Sequence, residues 1–572
     1  MLPDRHPVIY RFLKFGFKFV KPLLPTLRKY YEAYKAIMPD NAYNAWADSN
    51  KNFCFVSKKI SYRPLISIIV PVFNPRYNHL LEMVYSVINQ HYDNWELLLV
   101  SASTNTKSRR QTEACIDIDV RIKIINVSGN KGISANTNAG LKEAAGEYVS
   151  FLDHDDLLHP CALHSVVETL QSSKPVDLVY TDEDKINDSS ERFFSPHCKP
   201  DWSPDLLRNV NYMNHLTVAR TQMVRHVEGL RPICDGAQDY DLLLRVIDEC
   251  APAIKHIPRI LYHWRAAESS TAKDIQTKDY VFPAGTRALS DHIKRNKIPA
   301  TVRHISGKPG FYEFIYEPVD FSIIIGQVAA SKEQACVQWL KKLFRESSRG
   351  SRVATELIIG QWYKKHENWH PEVKVRYTQD KADDYWQEAV DMATHPVTVC
   401  FKMAAMPKGR HGLAQLAAVA SDTRYTAVAP VVVSDNDTIL DAGVVGSREL
   451  PKKLFEGYKL GRNTYFGNTD WVRNVNDLTT NIVAINTERL RHLIASGIRT
   501  YHQSDTLNGL SPTATVDDSY FVVWAHTPFK YKGLLKPRVG RSYHNSQLFQ
   551  FTPTVTMHVD NWGESYGREQ ED

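Results

Sequence analysis

The apolar run Leu65–Val70 is the feature that most constrains how this chain can fold. A short run of this kind, stopped by Pro71, predicts a strand buried on both faces of a parallel sheet. Further predicted elements follow in alternation: a helix over His79–Gln90, a strand over Glu96–Val100, a strand over Ile122–Val127, a helix over Ser134–Ala145 and a strand over Tyr148–Leu152. This alternation indicates a doubly wound α/β domain, in which ligands bind at the carboxyl ends of the strands.

Three loops are expected at such strand ends: Pro71–Asn74, Ser101–Thr106 and Asp153–Asp156. The last, called the acidic loop below, contains three carboxylates that repel one another and need a cation or basic partners. Their hard oxygen atoms suit Mg²⁺ or Mn²⁺, ions that bridge the oxygens of a diphosphate. An acidic turn without function is the alternative, and the position directly after a buried strand favours the metal.

Two downstream segments could complete a site. Asp239 precedes the apolar segment Leu242–Leu244, so it could cap a helix or take a proton from an acceptor hydroxyl as a general base. Farther along, His263 could be a third metal ligand and Arg265 could hold phosphate. A His–Trp pair is more often part of a core, so His263 carries weight only together with the other residues.

The second half of the sequence repeats the pattern of the first. Phe321–Ile325 echoes Ile66–Val70, and Glu356–Ile359 echoes Glu96–Leu99. A diverged internal duplication is the favoured interpretation. The alternative is two unrelated α/β domains that share generic strands.

The size of the chain agrees with more than one domain. At 572 residues it is too long for one hydrophobic core, and with 43% hydrophobic and 23% charged residues it has the composition of an ordinary globular protein. The eight cysteines are scattered without the spacing of a zinc or redox motif. They favour a reduced, cytoplasmic compartment.

The net charge of +6 lies in the amino-terminal segment, where eight Lys and Arg residues face only two acidic ones between Met1 and Lys35. This placement argues against nucleic acid as a partner. Basic residues at helical spacing (Arg11, Lys14, Lys18 and Lys21) oppose an apolar, Phe-rich arc, which predicts an amphipathic helix on an anionic membrane surface. The alternative is a helix packed on the catalytic domain. No uncharged apolar run is long enough to span a bilayer, and the segment lacks the features of a signal peptide.

Seven segments occur in the order and spacing of a known family: Pro71–Asn74, Asn130–Gly140, Phe151–Asp156, Tyr180–Lys185, Lys199–Asp205, Gln238–Asp239 and His263–Arg265. Together they resemble the family 2 glycosyltransferases with a GT-A fold, over about residues 64–275. Tyr180–Lys185 and Lys199–Asp205 resemble a subgroup common in O-antigen and capsule synthesis.

The resemblance implies a role for each matching residue. Asp239 is expected to be the catalytic base, and Asp155, His263 and Asp153 are expected to bind Mn²⁺ or Mg²⁺. The residues expected to contact the nucleotide sugar are Pro71, Val72, Phe73, Asn136, Asp153 and Arg265. Such enzymes invert the anomeric centre in one displacement, and their metal offsets charge on the departing nucleoside diphosphate.

One departure from the family concerns the nucleotide base. Val100–Thr104 replaces a family segment whose aspartate accepts a hydrogen bond from the imide of uracil or thymine. The donor, of the UDP-hexose or dTDP-rhamnose type, therefore stays open.

The second half departs further. Pro430–Val445 resembles rhamnosyltransferase-like family members and Tyr543–Ser546 their closing motif, but Val399–Ala405, at the expected metal position, contains no carboxylate. Asp517 and Asp518 could lie at the position of the base. We interpret this half as a catalytically silent domain that could bind glycan, stabilise the first domain or mediate assembly.

The expected fold is therefore α/β, with a GT-A-type doubly wound mixed sheet in two tandem copies. The expected parts are a basic amphipathic helical arm (1–60), a catalytic domain (61–305) and a degenerate GT-A-like domain (316–560). We expect an inverting, metal-dependent transfer of sugar to a lipid-linked glycan in lipopolysaccharide O-antigen synthesis, by a peripheral protein on the inner face of the bacterial inner membrane. The alternatives are a dual transferase and a non-catalytic glycan-binding scaffold.

Overall fold

The computed structural model describes residues 43–51, 59–172, 175–266 and 281–326, and, with short gaps, 330–495 and 520–531. This part of the chain contains two large mixed sheets with a hairpin between them. Residues 59–266 are called the first half below, and residues 321–531 the second half.

The first sheet has nine strands in the order β3-β2-β1-β4-β8-β6-β9-β5, with β7 paired to β6. They are β1 (Ile66–Val72), β2 (Trp95–Ser101), β3 (Ile122–Asn126), β4 (Tyr148–Phe151), β5 (Leu157–Leu158), β6 (Leu178–Ile186), β7 (Phe193–His197), β8 (Thr217–Arg220) and β9 (Ile254–Arg265). Strands β1 to β4 run parallel, as predicted, whereas β8 is antiparallel to both of its neighbours. The sheet as a whole is mixed.

Helices cover both faces of this sheet, which explains why nearly every residue of β1 and β2 is buried. In and before the first half they are α1 (43–50), α2 (Tyr77–Ile88), α3 (Thr106–Glu113), α4 (Ile133–Glu143), α5 (Ala162–Leu170), α6 (Pro204–Asn209), α7 (Thr221–His226) and α8 (Gln238–Cys250). On one face, Ile68 shares an apolar cluster with Met83 of α2. On the other, Gly140 of α4 lies so close to β1 that a Cβ atom would stand 2.6 Å from the side chain of Ile69.

Pro71 does not end the first strand, contrary to the sequence prediction. Strand β1 continues to Val72, and Pro71 pairs with Val100 of β2. On the other side the pairing of β1 with β4 stops at Ile69, so β4 needs no N–H group from residue 71. The strand therefore reaches two residues beyond its predicted end.

The second sheet has ten strands in the order β14-β13-β12-β15-β24-β17-β25-β16, with β18 on β17 and β23 on β25. Its strands are β12 (Phe321–Ile325), β13 (Thr355–Gly360), β14 (Val373–Thr378), β15 (Val397–Phe401), β16 (Ala405–Pro407), β17 (Tyr425–Val433), β18 (Ile439–Asp441), β23 (Arg473–Val475), β24 (Ile482–Asn486) and β25 (Tyr520–Tyr531). Along the main path, the parallel and antiparallel neighbours follow the same sequence as in the first sheet.

The remaining elements flank these sheets. They are the hairpin strands β10 (Ala300–His304) and β11 (Tyr312–Tyr316), the short strands β19 (Val444–Val445), β20 (Lys452–Lys453), β21 (Asn463–Thr464) and β22 (Gly467–Asn468), and the helices α9 (Val281–Arg295), α10 (Glu333–Ser347), α11 (Tyr385–Met392), α12 (Gly412–Ala420) and α13 (Thr487–Ala495).

A buried polar network occurs in the first sheet. Ser67 of β1 donates a hydrogen bond of 2.6 Å to Glu96 of β2, and Lys123 of β3 donates to the same carboxylate at 2.7 Å. The backbone N–H of Ala145, just before β4, donates at 2.6 Å. The carboxylate therefore ties four neighbouring strands together at their amino-terminal ends.

The second sheet contains the corresponding network. Ser322 of β12 donates to Glu356 of β13 at 2.9 Å, Arg376 of β14 pairs with that carboxylate, and the N–H of Thr394 donates to it at 2.9 Å. The two sheets thus share strand order and the partners of one buried carboxylate.

The two halves meet around the hairpin of β10 and β11. One apolar cluster includes Tyr240 of the first half, Tyr312 of the hairpin and Val472 of the second half. The predicted domains, 61–305 and 316–560, divide the chain within this hairpin. These limits stay a prediction.

The expected arm falls mostly outside the described residues, which begin with α1. Within that helix Tyr43 is fully buried, and its hydroxyl donates to Asp184 of β6. In the described part of the chain, no helix is both long enough and apolar enough to cross a membrane.

The cysteines depart from the expectation of a fully reduced chain. Cys161 is disulfide-bonded, whereas six other described cysteines are free. Spacing along the sequence does not reveal pairing that the fold creates.

Candidate active site

The three predicted loops lie at one edge of the first sheet. Strands β2, β1 and β4 are adjacent and parallel, so their carboxyl ends point the same way. The N–H of Ala102 donates to Val72 at 2.9 Å, and that of Leu152 donates to Ile69 at 3.1 Å. These bonds hold the loop after β2 and the start of the acidic loop against β1.

The carboxylates of the acidic loop have different surroundings. Asp156 is buried and accepts hydrogen bonds from the Tyr262 hydroxyl and, at 2.7 Å, from the backbone N–H of Arg265. Its burial, followed by the charges of Asp153 and Asp155, raises its pKa well above the usual value. Asp156 therefore belongs to the framework of the loop.

The side-chain carboxylates of Asp153 and Asp155 are left without a hydrogen-bond donor among the described residues. Burial raises the pKa of Asp153; His215 opposes this shift, whereas Asp155 and Asp239 add to it. Two carboxylates in this state are suited to a cation, because a positive charge would offset the free-energy cost of burying negative charge and the repulsion between the two groups.

Arg265 holds the acidic loop in place. Its guanidinium is fully buried and donates to the carbonyl of Asp155 at 2.6 Å, to Ser190 Oγ at 2.6 Å and to Glu82 at 2.7 Å. The predicted phosphate contact would have to displace some of these partners. In this arrangement the side chain connects the loop to the β6–β7 turn and to α2.

His263, the predicted third metal ligand, pairs with a carboxylate through one ring nitrogen. Its Nδ1 lies 2.6 Å from Asp184 Oδ1, and the side chain is mostly buried. Strand β5, which follows the acidic loop, pairs with β9 at this residue, Leu157 opposite His263. A carboxylate on one ring nitrogen is the usual arrangement of a metal-binding histidine, because it fixes the ring and leaves the other nitrogen free to ligate.

The sequence interpretation did not assign a role to Glu183 and His215. His215 Nδ1 lies 3.4 Å from Glu183 Oε2, and the ring stacks on Tyr262 at 4.7 Å. Burial opposes the charged imidazole, but Glu183 together with Asp153 and Asp156 raises the pKa of His215 to about 9. A protonated imidazole therefore lies beside the acidic loop at neutral pH.

Glu183 is one of three successive buried carboxylates on β6, each paired with a histidine. Asp182 lies 2.9 Å from His256, and Asp184 contacts His263 as described above. Burial alone would raise the pKa of Glu183, but Lys199, His197 and His215 hold it well below its usual range. The segment Tyr180–Lys185 carried this signal, since three carboxylates on one strand need partners on the neighbouring strands.

Asp239 lies in the first turn of α8 and does not cap it, contrary to the structural alternative: the cap position is Ala237. Its carboxylate accepts hydrogen bonds from the side-chain amides of Asn211, at 3.3 Å, and Asn214. The effect of Asp239 on the pKa of Asp153 shows that the two charges interact. The structure thus brings the predicted base to the acidic loop.

The residues predicted to contact the nucleotide differ in their solvent exposure. Val72 is buried, Pro71 is half-buried, and Phe73 is 43% exposed at the mouth of the site. Asn136 is buried in α4, and its amide donates to Asn130 at 2.9 Å. Asn136 therefore shapes the loop before α4, whereas Phe73 presents an open ring face.

The loop that lacks the family's aspartate is fastened by amides and hydroxyls. The N–H of Asn74 donates to Ser103 Oγ at 3.0 Å, and the Asn105 amide donates to the Asn74 side chain at 2.9 Å. The hydroxyl of Ser101 is buried without a partner in the described structure. Ser101 and Ser103 belong to the segment in which the family resemblance would place a carboxylate.

Among the residues that the structure describes, no three His, Cys, Asp or Glu side chains are arranged to hold a metal ion. The donor set nevertheless suits one: the carboxylates of Asp153 and Asp155 lack protein donors, and His263 is oriented by Asp184. The metal assignment therefore stays a prediction.

The family model described as "Glycosyl transferase family 2" matches residues 67–226. O-antigen biosynthesis protein RfbC of Myxococcus xanthus is 38% identical over 245 residues, which are 43% of this chain and 19% of that protein. The uncharacterized protein y4gI of Sinorhizobium fredii is 41% identical over 240 residues, 42% of this chain and 26% of that protein. The chain thus spans about a quarter or less of the length of these two relatives.

Among solved structures, S. aureus TarS 1-349 in complex with UDP-GlcNAc is 18% identical, with a TM-score of 0.32 over 40% of this chain and 66% of that one. A likeness at this level supports no comparison of sites. The family match covers the acidic loop and β6, with Glu183 and His215, and the chain therefore contains a domain of glycosyl transferase family 2.

Proposed function

We propose that this chain is an inverting glycosyltransferase that moves a sugar from a nucleoside-diphosphate sugar to a lipid-linked glycan in the synthesis of a surface polysaccharide such as O antigen. The observation that carries the proposal is the position of Asp239. It begins a helix beside the acidic loop, and its charge acts on Asp153. A base beside a pair of strand-end carboxylates, in a chain whose residues 67–226 match family 2, is the arrangement that this transfer needs.

The reaction follows from this arrangement. An acceptor hydroxyl oxygen attacks the anomeric carbon of the donor, and the bond from that carbon to the diphosphate oxygen breaks. The acceptor proton passes to Asp239, whose carboxylate is fixed by the amides of Asn211 and Asn214. Attack from the face opposite the departing diphosphate inverts the anomeric centre.

Asp153 and Asp155, with His263, would hold Mn²⁺ or Mg²⁺. The bound ion would offset negative charge on the departing nucleoside diphosphate. Arg265 fixes the backbone of Asp155, so its proposed contribution is to position the acidic loop. His215, with its pKa raised to about 9, adds a positive charge near the same loop.

The donor side is proposed to lie between Phe73 and the loop after β2. Phe73 is the exposed aromatic side chain at this edge, and a base could stack on it. Ser101 and Ser103 offer hydroxyl groups where the family has a carboxylate. The base of a UDP-hexose or a dTDP-sugar is therefore recognised by hydroxyl groups instead of a carboxylate.

The second half is proposed to be a diverged copy without catalysis. Two observations support this proposal. The two sheets have the same strand order, and Glu96 and Glu356 have corresponding hydrogen-bond partners. Part of the expected metal position (402–404) and the possible base, Asp517 and Asp518, lie outside the described residues. If changing both aspartates to asparagine abolished one linkage and spared another, a dual transferase would replace this proposal.

We also propose that the basic arm holds the protein on the inner face of the bacterial inner membrane, where the acceptor would be found. Charge at helical spacing in residues 11–21 supports it. Removal of residues 1–25 should abolish sedimentation with vesicles that contain anionic phospholipid. Unchanged sedimentation would contradict the role of the arm.

A panel of nucleotide sugars tests the activity. The wild-type protein should release nucleoside diphosphate from one of them in the presence of Mn²⁺ or Mg²⁺ and should lose this activity with a chelator. Asp155→Ala should abolish metal-dependent release. If every donor stayed intact with the wild-type protein while glycan still bound, the non-catalytic scaffold would be correct.

A further inference from the structure

A side chain of the second half caps a helix of the first half. Asn474 Oδ1 accepts hydrogen bonds from Ser203 Oγ at 2.9 Å and from the N–H of Asp205 at 3.0 Å. Helix α6 begins at Pro204, and Ser203, at the cap position, makes no capping bond of its own. Asn474 on β23 therefore supplies an acceptor that local sequence does not provide.

The carboxylate of Asp205 is held from the same side. Asn474 Nδ2 donates to it at 2.7 Å, and the Tyr425 hydroxyl of the second half donates at 2.6 Å. Ser203, Asp205, Tyr425 and Asn474 are all at most 5% exposed. A cavity lined by Asp205, Tyr425 and the hairpin residue Tyr312 has a volume of about 10 Å³, space for one water molecule at most.

These contacts are directional in a way that apolar packing is not. Each buried donor or acceptor here would be left unsatisfied by a small shift between the halves, and that penalty selects one relative position. The contact therefore does more than bury surface: it fixes the start of α6.

The segment that leads into α6 reaches the candidate active site. His197 packs edge-on against Trp471 of the second half at 5.7 Å, and its Nδ1 lies 3.8 Å from Glu183. Two residues later, the buried Lys199 lies 3.4 Å from the same carboxylate. Glu183 is thus held by residues that the second half supports.

From Glu183 the chain of contacts continues to the base. Glu183 pairs with His215, at 3.4 Å. Its neighbour Asn214 donates to Asp239 and lies 2.9 Å from His215 Nε2. Every link between Asn474 and Asp239 is therefore a direct contact or a step along a short segment of backbone.

We propose that Asn474 is a positioning residue for the glycosyl transfer performed by the first half. The second half then acts as a rigid support that fixes the positions of Glu183 and His215. Through Asn214, it also fixes the position of the Asp239 carboxylate. This inference rests on the proposed function, because its kinetic consequence needs the transfer. Its structural consequence, altered order around Glu183, can be measured without any substrate.

Asn474→Ala removes the cap and leaves Asp205 with one donor fewer. We expect kcat for release of nucleoside diphosphate to fall roughly tenfold, because small displacements of a reacting group are costly, while the KM of the donor changes less than about twofold. Amide hydrogen exchange should become faster in Leu178–Ile186 and in 211–216, but not in Ile66–Val72. The donor is the nucleotide sugar selected by the panel above.

A double variant with the two side chains exchanged distinguishes loss of this contact from simple misfolding. Asp205→Asn combined with Asn474→Asp restores a carboxylate facing an amide with the roles reversed. Arg208, which lies 2.8 Å from Asp205 Oδ1 in the wild type, and the Tyr425 hydroxyl both find an acceptor in the new amide oxygen, and the negative charge stays within the same cluster. We expect this double variant to recover kcat to within about threefold of the wild type and to restore slow exchange, since coupled residues show non-additive effects. Asn463→Ala, at an exposed asparagine of the same half, is the matched control and should change neither quantity.

Two results would overturn the inference. One is an unchanged exchange rate around Glu183 in Asn474→Ala. The other is faster exchange there with an unchanged kcat, which would leave Asn474 a purely structural role. If the wild-type protein released nothing from any donor, the proposed function would fail, whereas the exchange measurement would still decide whether Asn474 orders the site.

Discussion

Asp239 and Asp241 are identical side chains in the first turn of one helix, yet their surroundings give them different tasks. Asp241 is fully buried between Arg231 and Arg245, at 3.0 and 2.9 Å from their Nε atoms. Asp239 is half-buried, and its donors among the described residues are both amides. Asp241 is thus engaged in ion pairs within the fold, whereas Asp239 contacts neutral side chains.

Asp239→Asn should therefore remove turnover and keep the fold. Loss of a general base costs roughly 10²–10⁴-fold in kcat, and an amide can still contact Asn211 or Asn214. Asp241→Asn is the matched control: it leaves two arginines facing a neutral group, and loss of one partner of a buried ion pair costs about 3–5 kcal/mol. Urea unfolding and the release of nucleoside diphosphate measure the two effects, and the assignment fails if Asp239→Asn keeps its activity.

Arg265 offers a second test at the same scale. Arg265→Lys keeps the positive charge but cannot reach Asp155, Ser190 and Glu82 at once, because lysine lacks the planar fork of donors. If Arg265 positions the acidic loop, kcat should fall roughly 10–100-fold and the melting temperature should decrease. A direct contact between the side chain and phosphate would instead survive largely in the lysine variant, with a stable fold and a modest change in KM.

At the scale of elements, hydrophobic pattern was sufficient for strands β1 to β4 and for helices α2 and α4. Runs such as Ile66–Val70 are buried on both faces, so nothing competes with the strand. The predicted end of β1 was wrong. The strand can contain Pro71 because its pairing with β4 stops before that residue, and where pairing stops is a property of the whole sheet. The carboxylate–histidine row of β6 was missed for a similar reason. His256 reaches Asp182 through the pairing of β9 with β6, and His215 reaches Glu183 from the turn that precedes β8.

The buried carboxylates Glu96 and Glu356 predict how the sheets respond to acid. Burial would raise the pKa of each, but hydrogen bonds and a basic neighbour lower it below the ordinary value of 4.5. A lowered pKa stabilises the fold above the unfolded value, and this contribution is lost as the pH falls through the folded value.

Wild-type unfolding free energy should therefore decrease as the pH is lowered from about 5 to 3. Glu96→Gln and Glu356→Gln should each be less stable at neutral pH and show a shallower decrease in acid. Chemical denaturation at several pH values measures both. Because Glu96 and Glu356 occupy equivalent places, equal effects are expected, and a steep, unchanged acid dependence in both variants would contradict the role of these networks.

For the whole molecule, sequence indicated two related halves but not their contact. Asn474 and Trp471 carry no pattern of their own, and the segment that ends at Asp205 gives no sign of its contact, since an interface between distant segments leaves no periodicity along the chain. The assignment of a single metal site also belongs to this scale. It depends on the carboxylates of the acidic loop having no functional counterpart at the end of β15.

Titration with Mn²⁺, with and without the nucleoside diphosphate of the active donor, should give about one tightly bound ion per chain, because paired carboxylates at one strand end are the expected oxygen ligands. The double variant Asp153→Asn with Asp155→Asn should lose this ion, whereas Asp391→Asn, which removes an exposed carboxylate of the second half, should retain it. Electron paramagnetic resonance measures the concentration of free Mn²⁺, and the bound fraction is the difference from the total Mn²⁺ added. Two ions per chain in the wild type, with one surviving the double variant, would mean that the second half binds metal and would reopen the dual transferase.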